Sequence, residues 1–237
     1  MVRASLCSAR ALLVRVLDHR TKGATQNRRM YPRVCAIPDV EPALMGALLV
    51  TDVLFVCTGN RCRSPSAALL LRRQLGETGS EVTVHSAGTV EVDVGPPRRL
   101  VLEGRALGIG LAAHVPHKVD SEMIRGADLV IGLAREHLRA TVVAVPSSFP
   151  RTFTLREIVR RGLEAGPRGQ EEDLGAWLAR LHDARLRVDL MGESPDDDIT
   201  DPMGGTRDDY RQMLTDVTAL TVTLRDLAWP VTLHADG

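Results

Sequence analysis

The chain has 237 residues, enough for one domain with a sizeable core and an appendage. Thirty basic residues balance thirty acidic ones and aromatic residues make up only 3%, which argues against binding nucleic acid or a membrane surface by bulk charge or base stacking. No apolar run approaches the roughly 20 residues of a membrane-spanning helix, and four cysteines (Cys7, Cys35, Cys57, Cys62) are too few for a disulfide scaffold, which points to a reducing cytoplasm.

Residues 1–49 carry eight Arg or Lys against three acids, a net of +5, and show no clear period. Their basic, acid-poor start has something of the look of a transit peptide. The preferred reading is an extension outside the core, either disordered or translated from an upstream start with Met30 or Met45 as the real one. The domain is accordingly placed at residues 50–237.

From Val53 the pattern becomes regular. The apolar run Val53–Val56 predicts a strand to Cys57, and Ser64-Pro65 dates a helix to about Pro65, since proline at the first helical position loses no intrahelical bond. That helix should run to Leu75 with Gly76 as its C-cap. A second strand is expected over Val82–Ser86, ending in Ala87-Gly88. A helix follows from Pro97 to Leu107, with Gly108 past its end. Ser121 reads as the N-cap of a short helix before a strand over 128–133. Residues 136–145 read as helix stopping before Pro146, and 153–155 as the last short strand. Helical segments are expected near 155–163 and 171–186. The last helix is marked by Tyr210, Met213, Leu214, Val217, Leu220, Leu224 and Leu227 on one face, and by Thr206 with Asp209 as a capping box. Strands alternating with helices imply an α/β fold with a parallel sheet covered on both faces, and the first βα loop of such a sheet is a ligand site.

That loop is Cys57 to Ser64. Unpaired amides at a helix N-terminus attract anions. Gly59 can take a positive φ and so let the loop turn its amides inward. Arg63 offers a planar fork matching two phosphate oxygens, and Ser64 can donate to the Cys57 sulfur. Positive helix end, arginine and hydroxyl all favour thiolate at Cys57. A phosphate-binding loop with a nucleophile in its floor follows from these residues.

The segment CTGNRCRSP resembles the signature loop, Cys-x5-Arg-Ser, of the low-molecular-weight protein tyrosine phosphatases. His85-Ser86-Ala87-Gly88-Thr89 resembles that family's second-strand segment, and Asp201-Pro202 resembles its late Asp-Pro loop. The resemblance covers about residues 50–228. It implies a four-stranded parallel sheet in three layers with helices on both faces, of flavodoxin-like topology. It further implies phosphomonoester hydrolysis through a phosphocysteine on Cys57, with Arg63 and the loop Thr58, Gly59, Asn60, Arg61 and Cys62 holding the phosphate. On this reading Asp201 is general acid and then base, Asn60 and Ser64 are supports, and Cys62 is a redox partner for Cys57. No metal or cofactor is needed. The implied partner is a phosphorylated protein or small phosphomonoester, and neither nucleic acid nor membrane is expected.

Three departures from the resemblance bear on substrate. Met203-Gly204-Gly205 and the region 90–94 lack the aromatic residues that stack a substrate ring, Arg61 stands where the loop is often apolar, and the segment before Asp201, including GPRGQEEDLG, is long. A wide mouth favouring acidic or non-aromatic phosphoesters is expected. Two alternatives are a thioredoxin-coupled arsenate reductase, which needs cysteines downstream of Cys62 where this sequence has none, and a non-catalytic phosphate-binding regulatory module. His114 and His117 have a ligand-like spacing, but Pro116 breaks any helix between them and no further ligand set joins them. Asp196-Asp197-Asp198 reads as a solvated or loop-setting run.

Overall fold

The computed structural model describes residues 50–77 and 81–230. The chain divides into two units, Met1–Met45 and Gly46–Gly237, and every described residue lies in the second. The expected N-terminal extension falls outside the described residues.

The core is a four-stranded parallel sheet in the order β2-β1-β3-β4. The strands are β1 (Thr51–Cys57), β2 (Val82–Gly88), β3 (Leu129–Gly132) and β4 (Thr152–Thr154). Between and after them run α1 (Arg63–Gly76), α2 (Arg98–Ala106), α3 (Ser121–Gly126), α4 (Arg135–Ala144), α5 (Leu155–Ala165), α6 (Leu174–His182) and α7 (Arg207–Ala228). Because side chains alternate along a strand, β1 feeds two cores at once. Val53, Phe55 and Cys57 join the larger cluster with Leu71 of α1 and Val217 and Leu224 of α7. Leu54 and Val56 face the other way, onto Ile124 of α3, Ala127 and Val145. This is the three-layer α/β architecture the sequence implies.

Several boundaries differ from expectation. Helix α1 begins two residues before Pro65, which sits in its first turn where a missing N–H still costs nothing. Gly76 is not a left-handed cap: it lies inside α1, and Glu77 caps the helix in right-handed conformation. Asp120, not Ser121, is the N-cap of α3, its carboxylate accepting from the amides of Glu122 and Met123. The Thr206/Asp209 capping box is present at α7, and a second one, Thr154 with Glu157, opens α5.

Glu157 also anchors a buried ion pair invisible in the sequence pattern. Arg185 donates to Glu157 Oε1 at 2.7 Å and Oε2 at 3.1 Å, and to the carbonyl of Thr152 at 2.8 Å, with its guanidinium 4.0 Å from the Phe153 ring centroid. It ties the segment after α6 to the edge strand β4. Replacing Arg185 by Leu leaves a largely buried carboxylate with only Arg161 beside it. Breaking such a pair costs about 3 kcal/mol, and urea unfolding of Arg185→Leu should show a loss of that order. A change below about 1 kcal/mol would mean that the pair contributes little.

Candidate functional site

The C-terminal ends of β1 and β2 lie side by side, with Cys57 paired to Gly88, so the loop leaving β1 runs across the end of β2. The approach is so close that a Cβ on Gly88 would fall 2.7 Å from the Thr58 carbonyl oxygen and 2.9 Å from the Asn60 nitrogen. Only glycine fits there. The amides of Thr89 and Val90 donate to the carbonyls of Cys57 and Thr58, sewing the two loops together.

The turn within the loop is made differently from expectation. The residue with positive φ is Asn60, at 51°, not Gly59. Asparagine tolerates this region better than most side chains. Asn60 is fully buried and all its polar capacity is used. Its Nδ2 donates to Ser64 Oγ at 3.0 Å and Ser86 Oγ at 2.9 Å. Its Oδ1 accepts from the His117 amide at 3.1 Å and stands 3.1 Å from His114 Nε2, which is also 2.8 Å from the Asn60 carbonyl. Burial lowers the His114 pKa, so the ring acts as a neutral donor. The histidine pair thus braces the loop, and among the described residues no cluster of three His, Cys, Asp or Glu is placed to hold a metal.

Ser64, oriented by Asn60, has its hydroxyl 3.0 Å from Cys57 Sγ and 3.2 Å from the Ala87 carbonyl. Cys57 and Cys62 are both buried, with no disulfide between them. The Cys62 pKa is pushed up to about 12 by burial and then by the negative charge of Asp201 and of Cys57, so this thiol stays protonated. Its Sγ lies 3.2 Å from Met203 Sδ, a contact that closes the late loop onto the early one. The Arg61 side chain turns away from the loop centre, its Nε donating to the Gly95 carbonyl at 3.0 Å. Gly59 lies under it, within 3.7 Å of Arg61 Cδ by its own missing Cβ.

Arg63 and Asp201, 138 residues apart in sequence, meet directly: Arg63 Nη2 donates to Asp201 Oδ2 at 2.6 Å. Arg63 Nη1 donates to the Ile199 carbonyl at 3.3 Å. What delivers Asp201 is the run before it. Asp198 accepts from the amides of Arg135 and Ser194, Asp197 pairs with Arg135 and Arg160, and the Ile199 amide donates to the Leu133 carbonyl at the end of β3. The acidic run therefore sets the loop.

The sequence reading missed one part of the site. Glu136 and His137, in the first turn of α4, face Thr58. His137 Nε2 is 3.0 Å from Thr58 Oγ1 and 3.1 Å from Glu136 Oε1, and Thr58 Oγ1 is 3.3 Å from Glu136 Oε1 and accepts from Arg63 Nη2 at 3.1 Å. Burial, then the positive charges of Arg63 and Arg139, hold the His137 pKa down at about 3. The only advance signal was helical register, which places residues 136 and 137 at the sheet's C-terminal edge.

A family model for low molecular weight phosphotyrosine protein phosphatase matches residues 52–165. The chain is 34% identical over 110 residues to the low molecular weight protein-tyrosine-phosphatase Etp of Escherichia coli (strain K12), covering 46% of this chain and 72% of that one. The chain belongs to the low molecular weight phosphotyrosine protein phosphatase family. Across 177 residues it is 28% identical to a protein-arginine-phosphatase of Bacillus subtilis (strain 168), covering 75% of this chain and 94% of that one. Among solved structures, the low molecular weight protein tyrosine phosphatase of T. tengcongensis superposes with a TM-score of 0.56 at 26% identity, covering 74% of this chain and 98% of that one. This phosphatase is therefore one of the family's cysteine-based protein phosphatases, and the four-stranded sheet is the family's own.

The histidines packed around the loop give the stability of this phosphatase a pH dependence with a definite sign. A histidine whose pKa is lowered in the folded state is neutral there while the unfolded chain binds a proton below about 6.5. Stability is full above that value and falls as pH drops toward the folded pKa, which for His137 is about 3. Between pH 7 and 5 urea unfolding should lose about 2 kcal/mol through His137, with His114 adding in the same direction. The slope should flatten in His137→Gln. An unchanged slope in that variant would show that His137 titrates normally in the folded protein.

Proposed function

We propose that this phosphatase works by in-line attack of the Cys57 thiolate on phosphorus, with Arg63 and the backbone of residues 58–63 holding the equatorial oxygens. The observation that carries the reading is the convergence of Ser64 on the Cys57 sulfur and of Arg63 on Asp201 around one loop. In the first step the S–P bond forms and the bond from phosphorus to the leaving group breaks. Asp201 gives that group its proton, and transition-state charge spreads over oxygens facing Arg63. In the second step water attacks the phosphocysteine, Asp201 takes the proton, and inorganic phosphate leaves with Cys57 restored as thiolate. Arg63 must release Asp201 to do this, so arriving phosphate replaces the carboxylate on the guanidinium. Cys62, kept as a thiol, does not compete with Cys57 as nucleophile. When a peroxide oxidises Cys57 to a sulfenic acid and is itself reduced, the Cys62 sulfur attacks the Cys57 sulfur and closes a disulfide as the sulfenic oxygen leaves as water. A reducing cytoplasm suits both thiols.

The substrate reading rests on what surrounds the loop. Every aromatic residue among those described, Phe55, Phe149, Phe153, Trp177, Tyr210 and Trp229, is buried. None is left to stack on a phosphotyrosine ring, and the mouth presents Val90, Val94 and Met203 instead. The substrate is therefore a phosphorylated protein side chain without an aromatic requirement. A narrower reading, phosphoarginine, is supported by the extent of the match to the arginine phosphatase and by the carboxylates of Asp201 and the half-exposed Glu136, which suit a cationic leaving group. An arsenate reductase of Halalkalibacterium halodurans is also similar, 31% identical over 133 residues. Downstream cysteines to carry a disulfide onward are, however, absent between Arg63 and Gly237.

Hydrolysis of p-nitrophenyl phosphate tests the roles. Cys57→Ser should abolish turnover, and Asp201→Ala should slow it about 100-fold for a peptide substrate but less for p-nitrophenol, a leaving group that hardly needs a proton. Substantial activity in Cys57→Ser would rule out the phosphocysteine. For selectivity, kcat/KM on matched phosphotyrosine, phosphoserine and phosphoarginine peptides should show no phosphotyrosine advantage beyond about 10-fold, since one lost aromatic stack is worth about 1 kcal/mol. A larger preference would overturn the aromatic-free reading.

A further inference from the structure

His137 is almost completely buried, and its Nδ1 has no hydrogen-bond partner. An interior position carrying an orphaned polar atom costs free energy that an apolar side chain would not, so its other nitrogen must matter. The tautomer follows from the neighbours. With the proton on Nδ1, a buried donor would go unmet and the Nε2 lone pair would face the Glu136 carboxylate. With the proton on Nε2, it is shared between Glu136 Oε1 and Thr58 Oγ1, both within 3.1 Å. Thr58 Oγ1 then accepts from His137 and from Arg63 Nη2, and its own proton points to Glu136 Oε1 at 3.3 Å. Every hydrogen bond around the hydroxyl has one consistent direction.

We propose that Glu136, His137 and Thr58 form a positioning relay that aims the Arg63 guanidinium at the phosphoryl oxygens. The inference rests on the mechanism proposed above. Arg63 Nη2 has two side-chain acceptors, Asp201 Oδ2 and Thr58 Oγ1. In that mechanism Asp201 has to let go, because it is needed as the proton donor. Thr58 Oγ1 and the Ile199 carbonyl are then the contacts that keep the guanidinium in its plane. A free threonine hydroxyl rotates and could turn its proton toward Arg63; the Glu136 carboxylate and the His137 N–H together forbid that rotation and leave a lone pair facing the arginine. The neutrality of His137 serves the same end, since an imidazolium beside Arg63 would repel the fork that it steadies.

The test is a double-mutant cycle on the full chain with Thr58→Val and Glu136→Gln, read as kcat/KM for p-nitrophenyl phosphate and as Ki for inorganic phosphate. Thr58→Val keeps the shape and removes the hydroxyl. It should lower kcat/KM about 10- to 100-fold, the scale of a misplaced catalytic group, and raise the phosphate Ki, while Thr58→Ser stays within about two-fold of wild type. With p-nitrophenyl phosphate, whose leaving group carries no positive charge for Glu136 to meet, Glu136 acts through Thr58, so the double variant should be no worse than Thr58→Val alone. Thr58→Val at wild-type rate, or a double variant losing the product of the two single effects, overturns the relay. Neither variant sits in the core, so folding does not cloud the result. Activity surviving in Cys57→Ser would instead refute the underlying mechanism, whatever Thr58 does.

Discussion

The site depends on one buried amide. Asn60 sits in a left-handed turn with no exposed surface, and its side chain joins three separate stretches of chain: the loop and first turn of α1 through Ser64, the end of β2 through Ser86, and the segment after α2 through His114 and His117. An amide has two donors and one strong acceptor, and here each has a partner. Removing it would orphan several buried polar atoms at once, which is costlier than losing any single bond. The direction of the Ser64 hydroxyl, and with it the hydrogen bond to Cys57, is set by Asn60.

Around that brace the fold supplies stiffness. Strands β1 and β3 are buried on both faces, with alternate residues committed to opposite cores, so their C-terminal ends cannot shift without disturbing two packed layers. Gly88 lets β2 approach within contact distance of the loop backbone, and the Thr89 and Val90 amides then fix the loop entrance. A loop built this way carries preset dipoles, which the proposed mechanism uses without reorganising them.

How much of this could be read in the sequence differs by residue. Cys57, Arg63 and Ser64 were legible because one short loop between an apolar strand and a proline-marked helix leaves little room for another geometry. Asp201 was legible only through the family's Asp-Pro loop, since nothing local distinguishes it from an ordinary turn. The loop's left-handed residue was misassigned to Gly59 because glycine is the usual choice, whereas Asn60 is held at positive φ by tertiary hydrogen bonds that no local rule contains. Gly76 failed for the opposite reason: α1 simply continues through it and is capped by Glu77. Glu136, His137 and the Arg185–Glu157 pair were invisible because each joins elements far apart in sequence, and a charged residue on a helix reads as solvated until its neighbour is known.

The Arg63–Asp201 pair shows how such a site can rest and still be ready. A bond of 2.6 Å to a guanidinium that is almost buried looks strong, yet the Asp201 side chain is 40% exposed. Half-solvated pairs of this kind contribute little net stability, because the carboxylate regains most of its hydration when released. A phosphoryl dianion brings twice the charge and two coplanar oxygens to the same fork. In the proposed mechanism the exchange of carboxylate for phosphate on Arg63 is therefore favourable at small cost, and the fold needs only to hold the arginine still while its partners change.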